Sequence, residues 1–155
     1  MEPRIAYARV APGAYKAMRG LEDYVHESTL EPALLELVRT RASQVNGCAF
    51  CLDMHTKDAL AAGEDAQRLF ALSAWRETPF YTVKERTALA YAEAVTQIAG
   101  GVDDALFAKL REQFSEREIV DLTLAIVAIN GWNRLAISMR TVPGSYQVRT
   151  TKTAD

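Results

Sequence analysis

Cysteine and histidine are scarce in this sequence, and it has neither excess basic charge nor a long apolar run. Its 155 residues include two cysteines and two histidines and carry a formal net charge of −2. This charge, with Lys and Arg scattered, predicts binding to neither nucleic acid nor membrane. The longest apolar run, from Leu122 to Ile129, is too short to span a bilayer. No apolar signal region precedes Pro12, so we expect a cytoplasmic protein.

The composition predicts a single globular domain. Hydrophobic residues make up 49% of the chain and charged residues 25%, as in soluble domains. A chain of this length buries about 68–70% of its unfolded surface, so its core needs no disulfide or metal. We expect one domain over residues 1–148 and a disordered polar tail over 149–155. The cysteines are therefore free for chemistry, and a cytoplasmic pair is more often catalytic or metal-binding than structural.

Apolar residues recur with a period near 3.6 residues along most of the chain, which predicts helices. Proline, glycine and two capping boxes, at Thr82/Glu85 and Ser115/Glu118, mark helix ends. The predicted helices cover residues 14–25, 32–45, 48–62, 64–75, 82–98, 103–114, 115–130 and 132–140. No segment alternates as a strand does, so the predicted fold class is all-α, a compact domain of several helices.

A shift of 84 positions aligns two parts of the sequence with each other. Asn46-Gly47 then falls on Asn130-Gly131, and both regions are predicted to form a helix, a corner and a second helix. The region around Asn130-Gly131 has apolar residues at the positions where the region around Asn46-Gly47 has its reactive ones. We interpret this pattern as a helix-turn-helix quasi-repeat, in which the fold does not require the reactive residues.

The reactive residues lie around the Asn46-Gly47 corner. Cys48 and Cys51 are the two cysteines, and His55 follows Cys51 by four residues. At about 100° per residue, these three side chains fall within about 60° on one helix face. The start of this helix offers free N–H groups and a positive partial charge, which lower the pKa of a thiol. Glu36, on the preceding helix, is placed to orient the imidazole.

The two cysteines, His55 and Glu36 predict a proton relay in which a thiol is the nucleophile, His55 is the base and Glu36 orients the base. Lowering the pKa of a thiol from about 8.5 to about 6 increases its thiolate fraction at neutral pH about thirtyfold. Cys51 is the better candidate for the first nucleophile, because it is nearer to His55 by helical spacing. Cys48 would then close the disulfide.

The spacing of these residues resembles the signature of a known family. Glu36, eleven intervening residues, Cys48-x-x-Cys51, three more residues and His55 resemble the alkylhydroperoxidase AhpD-like proteins of the carboxymuconolactone decarboxylase superfamily. Residues 84–96 and 130–134 are also similar to members of that group. The resemblance covers roughly residues 34–143, and the full motif is far more specific than a bare Cys-x-x-Cys.

The resemblance implies an all-helical, homo-oligomeric thiol peroxidase that needs no metal or bound cofactor. Cys51 attacks the hydroperoxide and becomes a sulfenic acid, and Cys48 resolves it to a disulfide. His55 and Glu36 relay the proton, and a dithiol reductant, such as a lipoyl-bearing protein, regenerates the pair. Relatives suggest a trimer or a hexamer.

One position departs from the resemblance. Well-studied peroxidases of the group carry a second histidine just before the second cysteine, where this chain has Phe50. An aromatic hydrocarbon ring cannot relay a proton, so the relay is shorter here or the peroxidase activity is weaker. Members of the superfamily that decarboxylate a lactone lack the cysteine pair, which disfavours that reaction.

Other interpretations stay open at this point. Cys48, Cys51 and His55 could bind zinc with His26 as a fourth ligand, or the cysteines could be ordinary buried thiols. A lone glutamate in a helix, such as Glu36, is usually exposed. The protein could instead be a general disulfide oxidoreductase, or a redox-sensing oligomer without peroxidase turnover.

Overall fold

The computed structural model describes residues 2–148, which form helices joined by short loops, with no strand in that range. Its α-helices are α1 (Tyr7–Val10), α2 (Pro12–His26), α3 (Pro32–Asn46), α4 (Ala49–Ala61), α5 (Ala66–Ala71), α6 (Val83–Thr96), α7 (Asp104–Gln113) and α8 (Glu116–Met139). Short 3-10 helices cover Leu72–Glu77 and Ile98–Gly100. The all-α fold class is therefore confirmed. The predicted tail over 149–155 lies outside the described residues, and the single-domain boundary stays a prediction.

Local sequence explains where several helices begin and end. Both predicted capping boxes are present, because Thr82 and Ser115 bond the backbone of Glu85 and Glu118 while those carboxylates bond back to the caps. α3 ends at Gly47, whose φ of 69° is the left-handed conformation that closes a helix at little cost for glycine. The chain therefore turns sharply there, and α4 packs against α3.

Two predicted elements differ from the structure in detail. The segment before residue 14, where no helix is predicted, contains the short helix α1. The predicted helix over 64–75 is divided into α5 and the 3-10 helix Leu72–Glu77, which is itself kinked at Ala74, with φ −115° and ψ 28°. Both differences involve short segments, where local packing outweighs the weak helical preference of a single turn.

α3 lies at the centre of the fold and packs against α4, α6 and α8. Its residues Leu37, Val38 and Ala42 are fully buried, and burying a side chain such as Leu or Val contributes about 1.5–3 kcal/mol. One core cluster joins α3 to α2, α6, α7 and α8, and a second joins it to α4, α5 and α6. A third, smaller cluster contains both cysteines. The reactive segment is thus held directly against the central helix.

The predicted corner at Asn130-Gly131 is wrong, because α8 continues through it. A Cβ atom at Gly131 would lie 2.8 Å from the Met18 side chain, so the glycine allows α2 to approach α8 closely. Asn130 donates to Thr96 at 3.0 Å and accepts from Asn46 at 2.9 Å. The quasi-repeat therefore does not extend to this region, where tertiary packing uses both residues and neither ends the helix.

Because it is continuous, α8 is long and apolar enough to cross a membrane by length and composition alone: it has 24 residues, and an 18-residue window within it has a mean hydropathy of 1.2. Its polar residues Asp121, Asn130 and Asn133 are buried. Each of them is hydrogen-bonded to a side chain of another helix. This pattern is that of a core helix packed inside a folded domain.

Both ends of the described chain are attached to helices of the core. The backbone N–H of Arg4 donates to the carbonyl of Met139, at the end of α8, at 2.8 Å. The hydroxyl of Tyr146 donates to the Asp58 carboxylate on α4 at 2.7 Å. These bonds keep the segments before α2 and after α8 against the helices that carry the cysteine cluster.

Candidate active site

Cys48 and Cys51 lie together at the N-terminal end of α4. Cys48 is the N-cap residue with an extended backbone, φ −86° and ψ 95°, and Cys51 is in the first turn. Both are free thiols and each is 1% exposed. They pack with Ala42 of α3 and with Ile129 and Ala136 of α8. The pair is thus enclosed by three helices at the point where unpaired backbone N–H groups converge.

The hydrogen bonds around the two sulfurs place the negative charge of the pair on Cys48. The Cys51 thiol donates to Cys48, and the backbone N–H groups of Cys51 and Phe50 add to it; together they outweigh burial and lower the pKa of Cys48 to about 7. The same side-chain bond, burial and the charge of Cys48 raise the pKa of Cys51. Cys48 is therefore the sulfur whose pKa these contacts lower. The prediction that Cys51 is the first nucleophile used only its spacing to His55, and the order in which the two sulfurs react stays a prediction.

Asn133 of α8 supplies a further polar contact to the sulfur pair. Hydrogen bonds from its side chain lower the pKa of both cysteines. The amide is held in place because its Nδ2 donates to Ser43 at 3.1 Å and its Oδ1 accepts from Asn46 at 2.8 Å. Asn133 is completely buried, so its orientation is set by these partners and not by solvent.

His55 and Glu36 form the predicted histidine–carboxylate pair. His55 Nδ1 lies 2.9 Å from Glu36 Oε2, and their side chains are 7% and 15% exposed. Burial alone would raise the pKa of Glu36, but the bond and charge of His55 and the charge of Arg39 outweigh it and hold this pKa below its usual value. The ionised Glu36 carboxylate accepts a hydrogen bond from the Nδ1–H group of His55. In a neutral imidazole, Nε2 is then free to accept a proton. A lone glutamate in a helix is usually exposed, but Glu36 is largely buried.

A second carboxylate, Glu22, is linked to this pair through Arg39. Arg39 donates to Glu36 Oε1 at 2.8 Å and also pairs with Glu22 of α2. The indole N–H of Trp132 donates to the other oxygen of Glu22 at 3.2 Å. Arg39 is 7% exposed, so its charge is balanced inside the fold by two carboxylates. The arrangement fixes the orientation of Glu36 with respect to His55.

The zinc interpretation finds no support in the arrangement of the ligands. Among residues 2–148, His, Cys, Asp and Glu ligand atoms gather within 4.8 Å of one another at Glu36, His55 and Asp58, a cluster without either cysteine. Zinc bound by Cys48 and His55 would need both at about 2.0–2.3 Å from one ion. His26, the suggested fourth ligand, is exposed at the end of α2.

We expect alkylation of Cys48 to follow the ionisation of its thiol. The rate with iodoacetamide should rise with pH to a midpoint at about pH 7, and fall about tenfold per pH unit below that midpoint. Peptide mapping by mass spectrometry measures the rate at each cysteine separately. Asn133→Leu should move the midpoint upward, because one donor to the thiolate is lost. A wild-type midpoint at about 8.5, the value of a free thiol, would contradict the assignment.

The structure places the four residues selected from the sequence as two pairs, Cys48 with Cys51 and His55 with Glu36, and the relay between the two pairs stays a prediction. Sequence reasoning missed Glu22, Arg39 and Asn133 as contributors to the site. Only Arg39 offered a local signal, since it follows Glu36 by three residues, a spacing that permits an ion pair on a helix. Glu22 and Asn133 come from α2 and α8, and nothing in their neighbourhoods indicates the contact.

An all-helical domain with two thiols at the start of one helix, and a buried histidine–carboxylate pair one turn further on, is an AhpD-like arrangement. The chain belongs to the carboxymuconolactone decarboxylase family, whose model matches residues 12–94. It is 44% identical over 140 residues to the uncharacterized protein YdfG of Bacillus subtilis, which covers 90% of this chain and 95% of that protein. The resemblance found in the sequence is therefore confirmed.

Solved structures agree with this assignment. A crystal structure of an Agrobacterium tumefaciens protein of unknown function, described as a proposed antioxidant defence protein AhpD, is 46% identical and has a TM-score of 0.90. The match covers 94% of this chain and all of that one. An uncharacterized peroxidase-related protein from Silicibacter has a TM-score of 0.76 at 24% identity, over 84% of this chain and 70% of its own. At that identity the likeness shows the fold alone.

Proposed function

We propose that this protein is a thiol-dependent peroxidase that reduces hydroperoxides through a Cys48–Cys51 disulfide cycle, with His55 and Glu36 as the proton relay. The observation that supports it most is the hydrogen-bonded pair of free thiols at the start of α4, in which the pKa of Cys48 is lowered to about 7. A thiolate at neutral pH is the nucleophile that hydroperoxide reduction needs, and a neighbouring thiol closes the cycle.

In the proposed cycle Cys48 attacks first, which reverses the order implied by the family resemblance. The Cys48 thiolate bonds to the terminal oxygen of the hydroperoxide, the O–O bond breaks, and its electron pair leaves with the inner oxygen, which takes one proton to become an alcohol. The sulfur has lost two electrons and is a sulfenic acid. The lowered pKa of Cys48 supports this order, because the thiolate is the reactive form.

Closure of the disulfide explains the position of His55. Cys51 holds its proton tightly, since its pKa is raised, and it needs a base before it can attack the sulfenic acid. His55 follows it by one helical turn and is oriented by Glu36 at 2.9 Å. His55 takes the Cys51 proton and returns it to the departing hydroxide, so that one disulfide and one water are formed.

The proposal includes partners that complete the cycle. A dithiol reductant, such as a lipoyl-bearing protein, reduces the disulfide by thiol exchange. We also propose that the protein works in the cytoplasm, where such reductants keep thiols reduced, as a homo-oligomer of three or six subunits. The homo-oligomer is proposed from the family resemblance.

The direct test is hydroperoxide consumption with dihydrolipoamide as reductant. We expect wild-type protein to turn over repeatedly, with one intramolecular disulfide formed per hydroperoxide when the reductant is omitted. The Cys48→Ser/Cys51→Ser variant should consume none above background. A single stoichiometric oxidation without turnover when reductant is present would favour a redox-sensing role, and would overturn the peroxidase assignment.

A second function is favoured by one observation. A Cys-x-x-Cys pair whose first thiol has a pKa of about 7 is also the arrangement of thiol–disulfide oxidoreductases. In that case the protein would reduce a model disulfide faster than any hydroperoxide. Parallel assays with insulin and with cumene hydroperoxide distinguish the two functions by the ratio of kcat/KM values.

A further inference from the structure

Thr40 of α3 is fully buried, and its hydroxyl has no hydrogen-bond partner among residues 2–148. A threonine inside a helix often donates to the backbone carbonyl four residues earlier. Thr56, Thr87 and Thr123 all do so, at 2.6–2.8 Å. Because an unpaired buried hydroxyl costs free energy, native proteins seldom keep one without a functional reason. Thr40 thus differs from these three threonines, and its hydroxyl is free to bond elsewhere.

The surroundings of Thr40 follow from the packing of α3 against α4. At one end of this contact, His55 Nδ1 lies 2.9 Å from the Glu36 carboxylate. At the other end, the N–H of Cys48 donates to the carbonyl of Ser43 at 3.0 Å. Both pairs are centred on the same point of the sequence, between residues 45 and 46. The two helices therefore run antiparallel in a single register over this stretch.

That register places Thr40 opposite Cys51, because this pair has the same centre. The helical positions agree with it. Glu36, Thr40 and Ser43 fall within about 60° on one face of α3, and the cysteines and His55 occupy an equally narrow face of α4. Cys51 is 1% exposed and Thr40 is 0% exposed, so both lie inside the contact. The Thr40 side chain is thus placed between the histidine–carboxylate pair and the sulfurs.

A hydroxyl at this place fills a gap in the relay. His55 follows Cys51 by one turn, and side chains so related have Cβ atoms about 5–6 Å apart, which is longer than a hydrogen bond. The His55 ring is also held toward α3 by Glu36, and α3 is the helix that carries Thr40. A threonine hydroxyl can accept one proton while it donates another. It can therefore connect a thiol to an imidazole nitrogen.

We propose that Thr40 is a further residue of the proton relay, whose hydroxyl accepts the thiol proton of Cys51 and passes its own proton to Nε2 of His55. This inference rests on the proposed thiol cycle. It holds whichever sulfur reacts first, since Cys51 must lose its proton either to attack the substrate or to close the disulfide. Cys51 becomes a thiolate, His55 becomes an imidazolium and Thr40 is unchanged. The imidazolium then gives its proton to the group that leaves.

Thr40→Val keeps the shape of the side chain and removes the hydroxyl. We expect disulfide formation in one turnover with saturating cumene hydroperoxide to slow by about tenfold to a hundredfold at neutral pH. The loss should shrink as the pH rises, because hydroxide then takes the proton directly. The urea unfolding midpoint should be no lower than in the wild type, since the hydroxyl has no bond to lose. Thr40→Ser, which restores a hydroxyl, should recover most of the rate.

Thr87→Val is the matched control. It makes the same chemical change at a buried position of α6, a helix that carries none of the predicted site residues, and it removes a bond to the Val83 carbonyl at 2.8 Å. We expect this variant to form the disulfide at the wild-type rate. Its unfolding midpoint should be equal to that of the wild type or lower, in contrast to Thr40→Val.

A second oxidant separates this inference from the proposed function. Dithiodipyridine oxidises the same cysteines without a hydroperoxide: one sulfur attacks the reagent, and the other expels the bound thione and closes the disulfide. Thr40→Val should slow this reaction too. Wild-type rates in Thr40→Val with both oxidants, or an equal loss in Thr40→Ser, would overturn this inference alone. A wild-type protein that reacts with dithiodipyridine and with no hydroperoxide would overturn the proposed function. A slower reaction of Thr40→Val with dithiodipyridine would then still support the role of Thr40.

Discussion

In the Cys51→Ser variant, one equivalent of hydroperoxide should convert Cys48 to a sulfenic acid that accumulates. The Cys48 pKa is lowered most by the Cys51 thiol, and also by the backbone N–H groups of Cys51 and Phe50 and by Asn133. A serine hydroxyl and the backbone N–H groups still stabilise the thiolate, so the first attack proceeds. Without a second thiol the disulfide cannot form, and turnover should fall at least about a hundredfold. Dimedone labelling followed by peptide mapping identifies the oxidised residue.

The reciprocal variant completes this experiment. Cys48→Ser removes the Cys48 sulfur, and with it the bond and the charge that raise the pKa of Cys51, but burial still raises that pKa. We expect no sulfenic acid to accumulate on Cys51 at neutral pH, and no turnover. Sulfenic acid on Cys51 in this variant, with none on Cys48 in Cys51→Ser, would establish the opposite order, the one that the family resemblance implies. Either result is independent of which dithiol reduces the protein.

Arg39→Met should lower the free energy of unfolding by about 3–5 kcal/mol, since removing one member of a buried ion pair leaves its partners uncompensated. Arg39 is 7% exposed and neutralises Glu36 and Glu22, whose side chains are 15% and 19% exposed. The remaining solvent contact of the carboxylates places the loss toward the lower end of that range. Urea unfolding followed by circular dichroism measures it.

Two further variants show whether the loss comes from unpaired charge. Arg19→Met, also on the α2 side of the fold, breaks a pair with Asp23 whose members are 47% and 61% exposed, and should cost less than about 0.5 kcal/mol. Glu22→Gln/Arg39→Met should recover part of the stability lost in Arg39→Met, because one of the two unpaired carboxylates is then neutral. Equal unfolding midpoints for Arg19→Met and Arg39→Met would mean that Arg39 is not a buried partner.

The helices that could be predicted best are those with chemical signals at their ends. The boxes at Thr82 and Ser115 and the glycine at 47 mark boundaries because each involves residues within three or four positions of one another. The prediction of a corner at Asn130-Gly131 was wrong because the partners of these two residues are distant in the sequence. The same dipeptide that ends α3 continues α8, because Met18 packs against the glycine and Thr96 bonds the asparagine.

Much of the candidate site was predictable, since its members occupy one helix face and the preceding helix. The contacts that tune it were not. Asn133 is far from Cys48 in the sequence, and its role depends on Ser43 and Asn46, which hold its amide in place. In the sequence, Glu22 is one of many acidic residues in predicted helices. The structure shows that Arg39 and Trp132 both donate to its carboxylate.

The sequence by itself determined the all-helical class, most helix ends, the family and the four residues Glu36, Cys48, Cys51 and His55. These follow from periodicity, caps and fixed spacings, which act between residues close together along the chain. Only the tertiary structure decided which groups surround the two sulfurs and how Glu36 is held. Those properties depend on burial and on hydrogen bonds between different helices, and the effect of each bond is set by the desolvated surroundings that the folded core creates.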